Sequence, residues 1–358
     1  MRARRIAVIL TCVACVICLA PVASAQAPAV RGVTVWLPYW SMSAALGSTL
    51  GNADVIGTAS PDWYTIAGSS TVQANSGAGD ASVISQLRVR GIQVVPLVNE
   101  SDGMAAFART LASPARRAAM VRALISIASH PGYAGLDLDF EQMAIDQRHD
   151  RGPANQIAAT YPAFVAQVCA ALHAIHRSCE VTAMPRTTSA PVYWRGELAT
   201  WVYDYGALGR AADRLQVMAY DDHATNFGPI GPVAPLPWVR QVIAYTRSQT
   251  PLGRAELGLG AYGYDWSSPG AGTSLTARQA AQLAAQVGAR VRWSPLQGED
   301  YFTYTQGGSR HTVWFENATA DSDRAAVAAA DGFAGVAIWA AGDEDPRLWP
   351  LLRGLRRG

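Results

Sequence analysis

Strand-length apolar runs recur along this 358-residue chain, and segments with a helical pattern separate them. Such runs are typical of strands that are buried on both faces of a parallel sheet. The predicted strands are 33–37, 55–59, 93–98, 135–141, 181–184, 215–220, 257–262 and 335–339. The predicted helices are 81–89, 114–128, 154–175, 205–212, 237–247, 276–287 and 320–330. This order of elements indicates an α/β protein.

Eight strands that alternate with helices close most naturally into a (β/α)8 barrel, the TIM barrel. A doubly wound open sheet is the alternative, but no glycine-rich phosphate turn follows the first strand. Barrels of this kind reach the length of this chain as one domain, and no long linker divides the sequence. Residues 290–317 hold two aromatic strands around a glycine turn, which predicts a small α+β hairpin insertion between strands seven and eight.

The first residues resemble a secretory signal. A basic start at Arg2, Arg4 and Arg5 is followed by an apolar run and by Ala23-Ser24-Ala25, which together predict a signal peptide over residues 1–25. The mature domain is then 26–358, and we expect it to be secreted, either extracellular or periplasmic, with no membrane attachment. We also expect a monomer.

Removing the signal leaves Cys169 and Cys179, which lie on either side of a predicted helix-to-strand turn. In an oxidising compartment such a pair is most simply a disulfide. Two free buried thiols are the alternative. Neither interpretation gives a metal site, and the sequence predicts no cofactor.

Charge argues against a nucleic-acid partner. The chain has 29 basic and 27 acidic residues, and loss of the three leader arginines gives a net charge of about −1, without the basic surface that nucleic-acid binding requires.

Three acids alternate with large apolar residues over 135–141. Successive strand side chains point to opposite faces, so Asp137, Asp139 and Glu141 share one face. Crowded carboxylates raise at least one pKa, and a glutamate with a raised pKa is what a general acid needs near neutral pH. Glu141 is predicted at the C-terminal end of the fourth strand, where barrel enzymes carry their working residues.

Aromatic residues are predicted at the same end of other strands. Aromatic faces pack against pyranose rings, and acids bind hydroxyls and protonate glycosidic oxygens, so the predicted ligand is a polysaccharide. Besides the three acids of 135–141, the residues expected at the C-terminal end of the barrel are Trp36, Tyr39, Tyr220, Asp221, Tyr262 and Trp339.

These motifs resemble the family 18 glycoside hydrolases, the chitinase family. Residues 135–141 are similar to its signature on the fourth barrel strand, residues 216–221 to its strand-six motif, and Trp339 to the tryptophan on its last strand. The closer likeness is to the bacterial cell-wall and spore-cortex lytic N-acetylglucosaminidase branch. It rests on segments 228–235, 262–266, 302–316 and 342–349.

The resemblance implies hydrolysis of a β-1,4-linked N-acetylglucosamine polysaccharide, chitin-like or peptidoglycan, by a retaining mechanism in which the substrate supplies the nucleophile. Glu141 would protonate the leaving oxygen, Asp139 and Tyr220 would hold the 2-acetamido group, and Asp137 would tune the charge of Asp139. Trp339 would form the floor of the subsite, with Met218 and Asp221 lining it.

One position departs from the family pattern. The outermost aspartate of the signature falls here on Ala134, and we expect a changed pH profile as a result.

Other interpretations remain open at this point. The acidic strand is alternatively a solvated edge strand. Its carboxylates could also bind calcium, but a calcium loop needs turn residues, whereas Leu138 and Phe140 favour an extended strand. A non-catalytic chitin- or peptidoglycan-binding lectin on the same scaffold is the main alternative function. A barrel enzyme of unrelated chemistry is a weaker one.

Overall fold

A computed structural model describes residues 32–225, 229–268 and 272–357 of the chain. The predicted signal peptide, residues 1–25, lies outside these ranges. The strands, in chain order, are β1 (Gly32–Leu37), β2 (Thr58–Ala67), β3 (Thr71–Ala74), β4 (Gln93–Val94), β5 (Leu97–Glu100), β6 (Gly135–Asp139), β7 (Ser178–Ala183), β8 (Arg214–Val217), β9 (Ala255–Gly260), β10 (Tyr262–Ser268), β11 (Gly272–Thr276), β12 (Arg292–Ser294), β13 (Glu299–Gln306), β14 (Ser309–Phe315) and β15 (Gly335–Trp339). The α-helices are α1 (Met42–Gly51), α2 (Ala81–Val89), α3 (Met104–Ala112), α4 (Pro114–Ala128), α5 (Arg151–Ala174), α6 (Tyr205–Ala211), α7 (Leu236–Gln249), α8 (Ala277–Gln286), α9 (Ala318–Asp331) and α10 (Leu348–Arg357).

Eight parallel strands form a closed barrel, which confirms the predicted fold. Their order is β1, β2, β5, β6, β7, β8, β9 and β15, and β1 pairs with both β2 and β15 to close the ring. Closure leaves the barrel without a free edge, and helices cover the outside. Phe140, which directly follows β6, shows this packing. The centroid of its ring lies 5.7 Å from that of Phe107 in α3 and 6.5 Å from that of Phe164 in α5.

Several predicted strand bounds were wrong, and proline explains one of them. The second strand runs over Thr58–Ala67 and not 55–59: it pairs with β1 as far as Pro61, opposite the last residue of β1, and continues against β5 with a register shift. Pro96 interrupts the predicted strand 93–98, which becomes β4 and β5. Proline cannot donate to a sheet ladder, so it marks strand ends and breaks.

The insertion is a five-stranded antiparallel sheet in the order β11, β10, β14, β13, β12, and it lies between β9 and β15 in the chain. The predicted hairpin within 290–317 is the pair β13 and β14, with Gly307 and Gly308 at positive φ in the turn. The sheet begins earlier than predicted, at Tyr262, because the chain leaves the barrel after Gly260. It forms a wall beside the C-terminal end of the barrel strands.

The predicted disulfide joins Cys169 of α5 to Cys179 of β7. Both cysteines are buried, and the bond closes a short loop with a sequence separation of 10. A bridge over a loop of this length lowers the entropy of the unfolded chain by an amount worth about 2–3 kcal/mol.

Replacing both cysteines by alanine is therefore expected to lower the free energy of unfolding by about 2–3 kcal/mol. Urea unfolding followed by tryptophan fluorescence measures this, and dithiothreitol should produce the same loss in the unmodified protein but none in the variant. Equal stability of the two proteins would contradict a stabilising bridge.

Candidate active site

The acidic segment leaves the strand before its last acid. β6 ends at Asp139, and Glu141 has a helical backbone (φ −108°, ψ −38°) at the start of the short turn Gln142–Ala144. The predicted strand 135–141 is therefore two residues too long. The prediction that these acids share one face still holds for Asp139 and Glu141, because both line the same cavity.

This cavity, of about 200 Å³, lies at the C-terminal end of the barrel. It brings together most of the predicted site residues from six barrel strands and the segments after them. The lining residues are Trp36, Asp139, Glu141, Thr182, Met218, Tyr220, Asp221, Tyr262 and Trp339. We refer to it as the central cavity.

Asp137 lies beneath the central cavity and does not line it. It is fully buried, and its carboxylate accepts hydrogen bonds from Trp36 Nε1 and Thr182 Oγ1, both at 2.9 Å. Burial raises the pKa of Asp137 to about 6, and the two donors oppose this rise.

Asp139 and Glu141 form a coupled acidic pair. Burial raises the pKa of Glu141 to about 7, the charge of Asp221 adds to the rise, and a hydrogen bond with Asp139 opposes it. Burial, followed by the charges of Glu141 and Asp137, raises the pKa of Asp139 well above its usual range. Asp139 Oδ1 has no hydrogen-bond partner among the described residues. The pair therefore holds protons near neutral pH and offers one unoccupied acceptor.

Asp221 is fixed at the opposite side of the central cavity. It follows β8 at a positive φ of 61°, and its Oδ1 accepts hydrogen bonds from Tyr262 Oη at 2.6 Å and Tyr264 Oη at 2.8 Å. Burial raises the pKa of Asp221, and the two phenols oppose the rise. Tyr220 is buried beside it with its ring 6.1 Å from that of Tyr262, and burial raises its pKa well above the usual range, so its hydroxyl stays a donor.

Indole rings form one side of the central cavity. Trp339 ends β15, and its ring centroid lies 6.2 Å from that of Trp36 and also 6.2 Å from that of Trp40. Tyr39 does not line the cavity. It is 38% exposed and packs edge-on against Trp40 at 5.0 Å, so the structure places it on the outer rim.

Two further acids were missed. Glu100 ends β5, and its buried carboxylate accepts hydrogen bonds from the backbone N–H of Met143 at 2.5 Å and of Asp102 at 3.0 Å. It thereby holds the turn that follows Glu141. Asp62 of β2 is also buried, and Asn99 Nδ2 donates to it at 3.0 Å. The predicted strand 93–98 ended two residues before Glu100, and its position at a strand's C-terminal end was the available signal.

Glu100 and Asn99 line a second hollow of about 420 Å³ on the other side of the acidic pair. Asp139, Glu141 and Gln142 line it as well. The acids therefore lie between two open spaces, as in a cleft that a chain-like ligand crosses. Among residues 32–225, 229–268 and 272–357, no group of His, Cys, Asp and Glu has the arrangement of a metal site.

Comparison with known proteins is consistent with this geometry. The model of the glycosyl hydrolases of family 18 matches residues 64–345. The uncharacterized glycosylase YvbX of Bacillus subtilis is 28% identical over 234 residues, 64% of this chain and 63% of that protein. The cortical fragment-lytic enzyme of Bacillus anthracis is 26% identical over 235 residues, 64% of this chain and 51% of that protein. The alignments thus span less than two thirds of these relatives.

A solved structure shares nearly the whole described fold. The crystal structure of a chitinase from Chromobacterium violaceum ATCC 12472 superposes with a TM-score of 0.79 at 29% identity, covering 91% of this chain and 98% of that one. The crystal structure of the Bacillus cereus spore cortex-lytic enzyme SleL, at 19% identity and a TM-score of 0.78, supports the fold alone.

Proposed function

Because this chain belongs to the glycosyl hydrolases of family 18, we propose that it is a secreted glycosidase that cleaves β-1,4-linked N-acetylglucosamine polysaccharides, either chitin-like or peptidoglycan. One observation carries the proposal. Glu141, Asp139 and Tyr220 converge with Trp339 on a single cavity of about 200 Å³.

Glu141 is the general acid in this account. Its pKa of about 7 lets it hold a proton near neutral pH and donate it to the glycosidic oxygen as the bond to the anomeric carbon breaks. The turn that carries it is held by Glu100 through the N–H of Met143, so the carboxyl has a fixed approach to the bond.

The nucleophile is the carbonyl oxygen of the substrate's own 2-acetamido group. It attacks the anomeric carbon as the leaving oxygen takes the proton from Glu141. The Glu141 carboxylate then takes a proton from water, which attacks the anomeric carbon and opens the oxazolinium ring with retention. The unpartnered Oδ1 of Asp139 accepts the acetamido N–H and stabilises the positive charge that develops there. The Tyr220 hydroxyl donates to the same group from the other side.

The surrounding residues fix the sugar. Trp339 offers the face of an indole beneath the ring, and Met218 closes the cavity beside it. Asp221, held by Tyr262 and Tyr264, adds an acceptor for sugar hydroxyls.

The names of the relatives include both a cortical fragment-lytic enzyme and a chitinase, so both substrates are proposed. Incubation with chitooligosaccharides and with purified peptidoglycan, followed by mass spectrometry, distinguishes them. N-acetyl-sugar products from either substrate support the proposal. Binding to either polysaccharide without products supports the lectin alternative, against which the presence of Glu141, Asp139 and Tyr220 argues.

Secretion depends on the signal over residues 1–25, and a monomer remains our expectation. N-terminal sequencing of the protein recovered from the medium or periplasm tests the first, with Gln26 expected as the first residue. Size-exclusion chromatography with light scattering tests the second.

Hydrolysis is expected to weaken on the alkaline side of neutrality. Glu141 acts only when protonated, and its folded pKa is raised from 4.5 to about 7. Below pH 7 the titration of Glu141 should leave kcat/KM unchanged, because the group is protonated there. Above pH 7 kcat/KM should fall about tenfold per pH unit. A profile whose alkaline limb lies near pH 4.5 would show that the burial of Glu141 does not control its proton.

A further inference from the structure

A second polar layer fills the barrel beneath the acids that the mechanism uses. Thr182, Gln216, Glu180 and Glu256 point into the barrel from β7, β8 and β9, and each is at most 4% exposed. Buried glutamates are costly unless they are hydrogen-bonded or paired. Thr182 also lines the central cavity, and Gln216 begins the motif 216–221. None of the four lies in the signature on β6, and the mechanism gives none of them a role.

Hydrogen bonds connect this layer to Asp137. Thr182 Oγ1 lies 2.9 Å from Asp137 Oδ1 and 2.9 Å from Gln216 Oε1. Gln216 Nε2 in turn donates to Glu180 Oε2 at 3.1 Å and to Glu256 Oε2 at 3.4 Å. We call these five residues the interior network.

The Thr182 hydroxyl has one proton for two acceptors. When Asp137 is ionised, the hydroxyl donates to Asp137, and Gln216 Oε1 loses its donor. When Asp137 is protonated, it donates to Thr182, which then donates to Gln216, and each oxygen in this chain has a partner. The protonation of Asp137 is therefore linked to the direction in which the Thr182 hydroxyl donates, and so to whether Gln216 Oε1 has a donor.

Glu256 is the acid of the network that a cation reaches. Arg214 Nε lies 3.4 Å from Glu256 Oε1 and is 42% exposed at the other end of the barrel. Burial raises the pKa of Glu256, and Arg214 and the hydrogen bonds from Thr34 and Gln216 oppose the rise. In the described part of the chain Glu180 has no such cation in direct contact, and burial, followed by the charges of Glu256 and Asp137, raises its pKa well above its usual range. Glu256 therefore loses its proton at a lower pH than Glu180 does.

We propose that Glu256 and Thr182, linked by Gln216, are positioning residues that set the protonation of Asp137 from beneath the active site. The ionised Glu256 favours the protonated form of Asp137, and the Thr182 hydroxyl favours its ionised form. Asp137 in turn determines how much negative charge lies under Asp139. Only this last step rests on the proposed function.

Other groups bear on the titration of Asp137, and only Glu180 among them is changed below, in a control variant. They are Asp139 on β6, on which Asp62 of β2 also acts, Glu180 on β7, and the phenols of Tyr161 and Tyr220, whose raised pKa values keep them protonated.

The Trp36 indole provides a readout that needs no activity, because its Nε1–H donates to Asp137 Oδ2. In protein labelled with ¹⁵N-tryptophan, the indole signal of Trp36, assigned as the one absent from Trp36→Phe, reports the titration of Asp137 by NMR. Glu256→Gln removes a negative charge and is expected to move the midpoint down by about one pH unit. Thr182→Val removes a donor to the ionised form and is expected to move it up.

Two variants control for structure. Glu180→Gln replaces a neutral acid by a neutral amide and is expected to leave the midpoint in place. Thr246→Val removes an equally buried hydroxyl in α7, which donates to Val242 O, and it should also leave the midpoint in place. If Glu256→Gln does not fold, Thr182→Val decides alone, and an unchanged midpoint in that variant overturns the proposal.

Unchanged midpoints in Glu256→Gln and Thr182→Val, or shifts of both in the same direction, would overturn the proposal. Where the wild-type protein hydrolyses substrate, the acid limb of kcat/KM should follow the Trp36 midpoints. KM should stay unchanged in Glu256→Gln, whose side chain does not line the central cavity. A wild-type protein without hydrolysis would contradict the proposed function alone, and the NMR titration would still decide the role of the network.

Discussion

Replacing Glu141 by glutamine is expected to lower kcat by on the order of 10²–10⁴-fold, the usual contribution of a general acid. Glutamine keeps the size and hydrogen-bonding shape of the side chain but has no proton to give to the leaving oxygen. Binding of chitooligosaccharides should survive, because Asp139, Tyr220 and Trp339 remain in the central cavity. Steady-state kinetics and calorimetric binding on the same preparation measure the two effects separately.

Glu197→Gln is the matched control, because Glu197 lines neither of the two hollows. This substitution should leave kcat within twofold of the wild type, a change in activation free energy of about 0.4 kcal/mol. Undiminished turnover in Glu141→Gln would show that another group supplies the proton. Glu100 would then be the first candidate, because burial raises its pKa to about 7 and it lines the neighbouring hollow.

Replacing Arg324 by methionine is expected to lower the free energy of unfolding by about 3–5 kcal/mol, the cost of breaking a buried ion pair from one side. Arg324 of α9 is 1% exposed and pairs with Glu299 of β13 at 3.1 Å and with Glu316 at 2.9 Å. It also donates to the carbonyl oxygens of Ala234 and Gly298. Methionine would leave two buried carboxyls without a cation.

The same substitution should loosen the cleft wall. Glu299 accepts the backbone N–H groups of Val233 and Ala234, which follow β8, so Arg324 ties the insertion sheet to the barrel. Urea unfolding measures the stability, and Arg247→Met is the control, since Arg247 pairs with Asp331 at an exposed site where a salt bridge is worth at most about 1 kcal/mol. A similar small loss in both variants would contradict the role of Arg324.

Repeating apolar runs were sufficient to predict the barrel, and helix α4 matches its predicted bounds, Pro114–Ala128. Helices α1, α3 and α10 were not predicted. Helix α1 contains Gly47, Ser48 and Thr49, which have low helix propensity, and it is stabilised by tertiary contacts such as that of Ser48 with Glu344. Such contacts join residues far apart in the chain, so local pattern does not report them.

The site residues could be predicted where they belong to a single segment with a recognisable pattern. The pattern over 135–141 and the position of Trp339 indicated the cavity, although Tyr39 lies on its rim. Glu100 and Arg324 were not found, because their roles depend on a backbone amide or a carboxyl brought near by folding. The interior network was hidden for the same reason, since its five members come from four separate strands, β6, β7, β8 and β9.

The absent aspartate of the signature lies far from the chemistry. Ala134 precedes β6 at the opposite end of the barrel, where it borders a hollow with Arg88 and Arg177. Five residues of extended chain separate it from Asp139, about 16 Å at the rise of a strand. A charge at that distance acts weakly on the acidic pair, so we expect Ala134→Asp to change the pH profile less than Glu256→Gln does.

The stereochemistry of the first product tests the central claim most directly. Proton NMR recorded during hydrolysis of a chitooligosaccharide or a peptidoglycan glycan strand shows which anomer forms before mutarotation. Attack by the substrate's acetamido oxygen followed by water predicts the β-anomer first, and it predicts no cleavage when the sugar before the scissile bond lacks its acetyl group. The α-anomer first, or unimpaired cleavage of the deacetylated substrate, would contradict the mechanism built on Glu141 and Asp139.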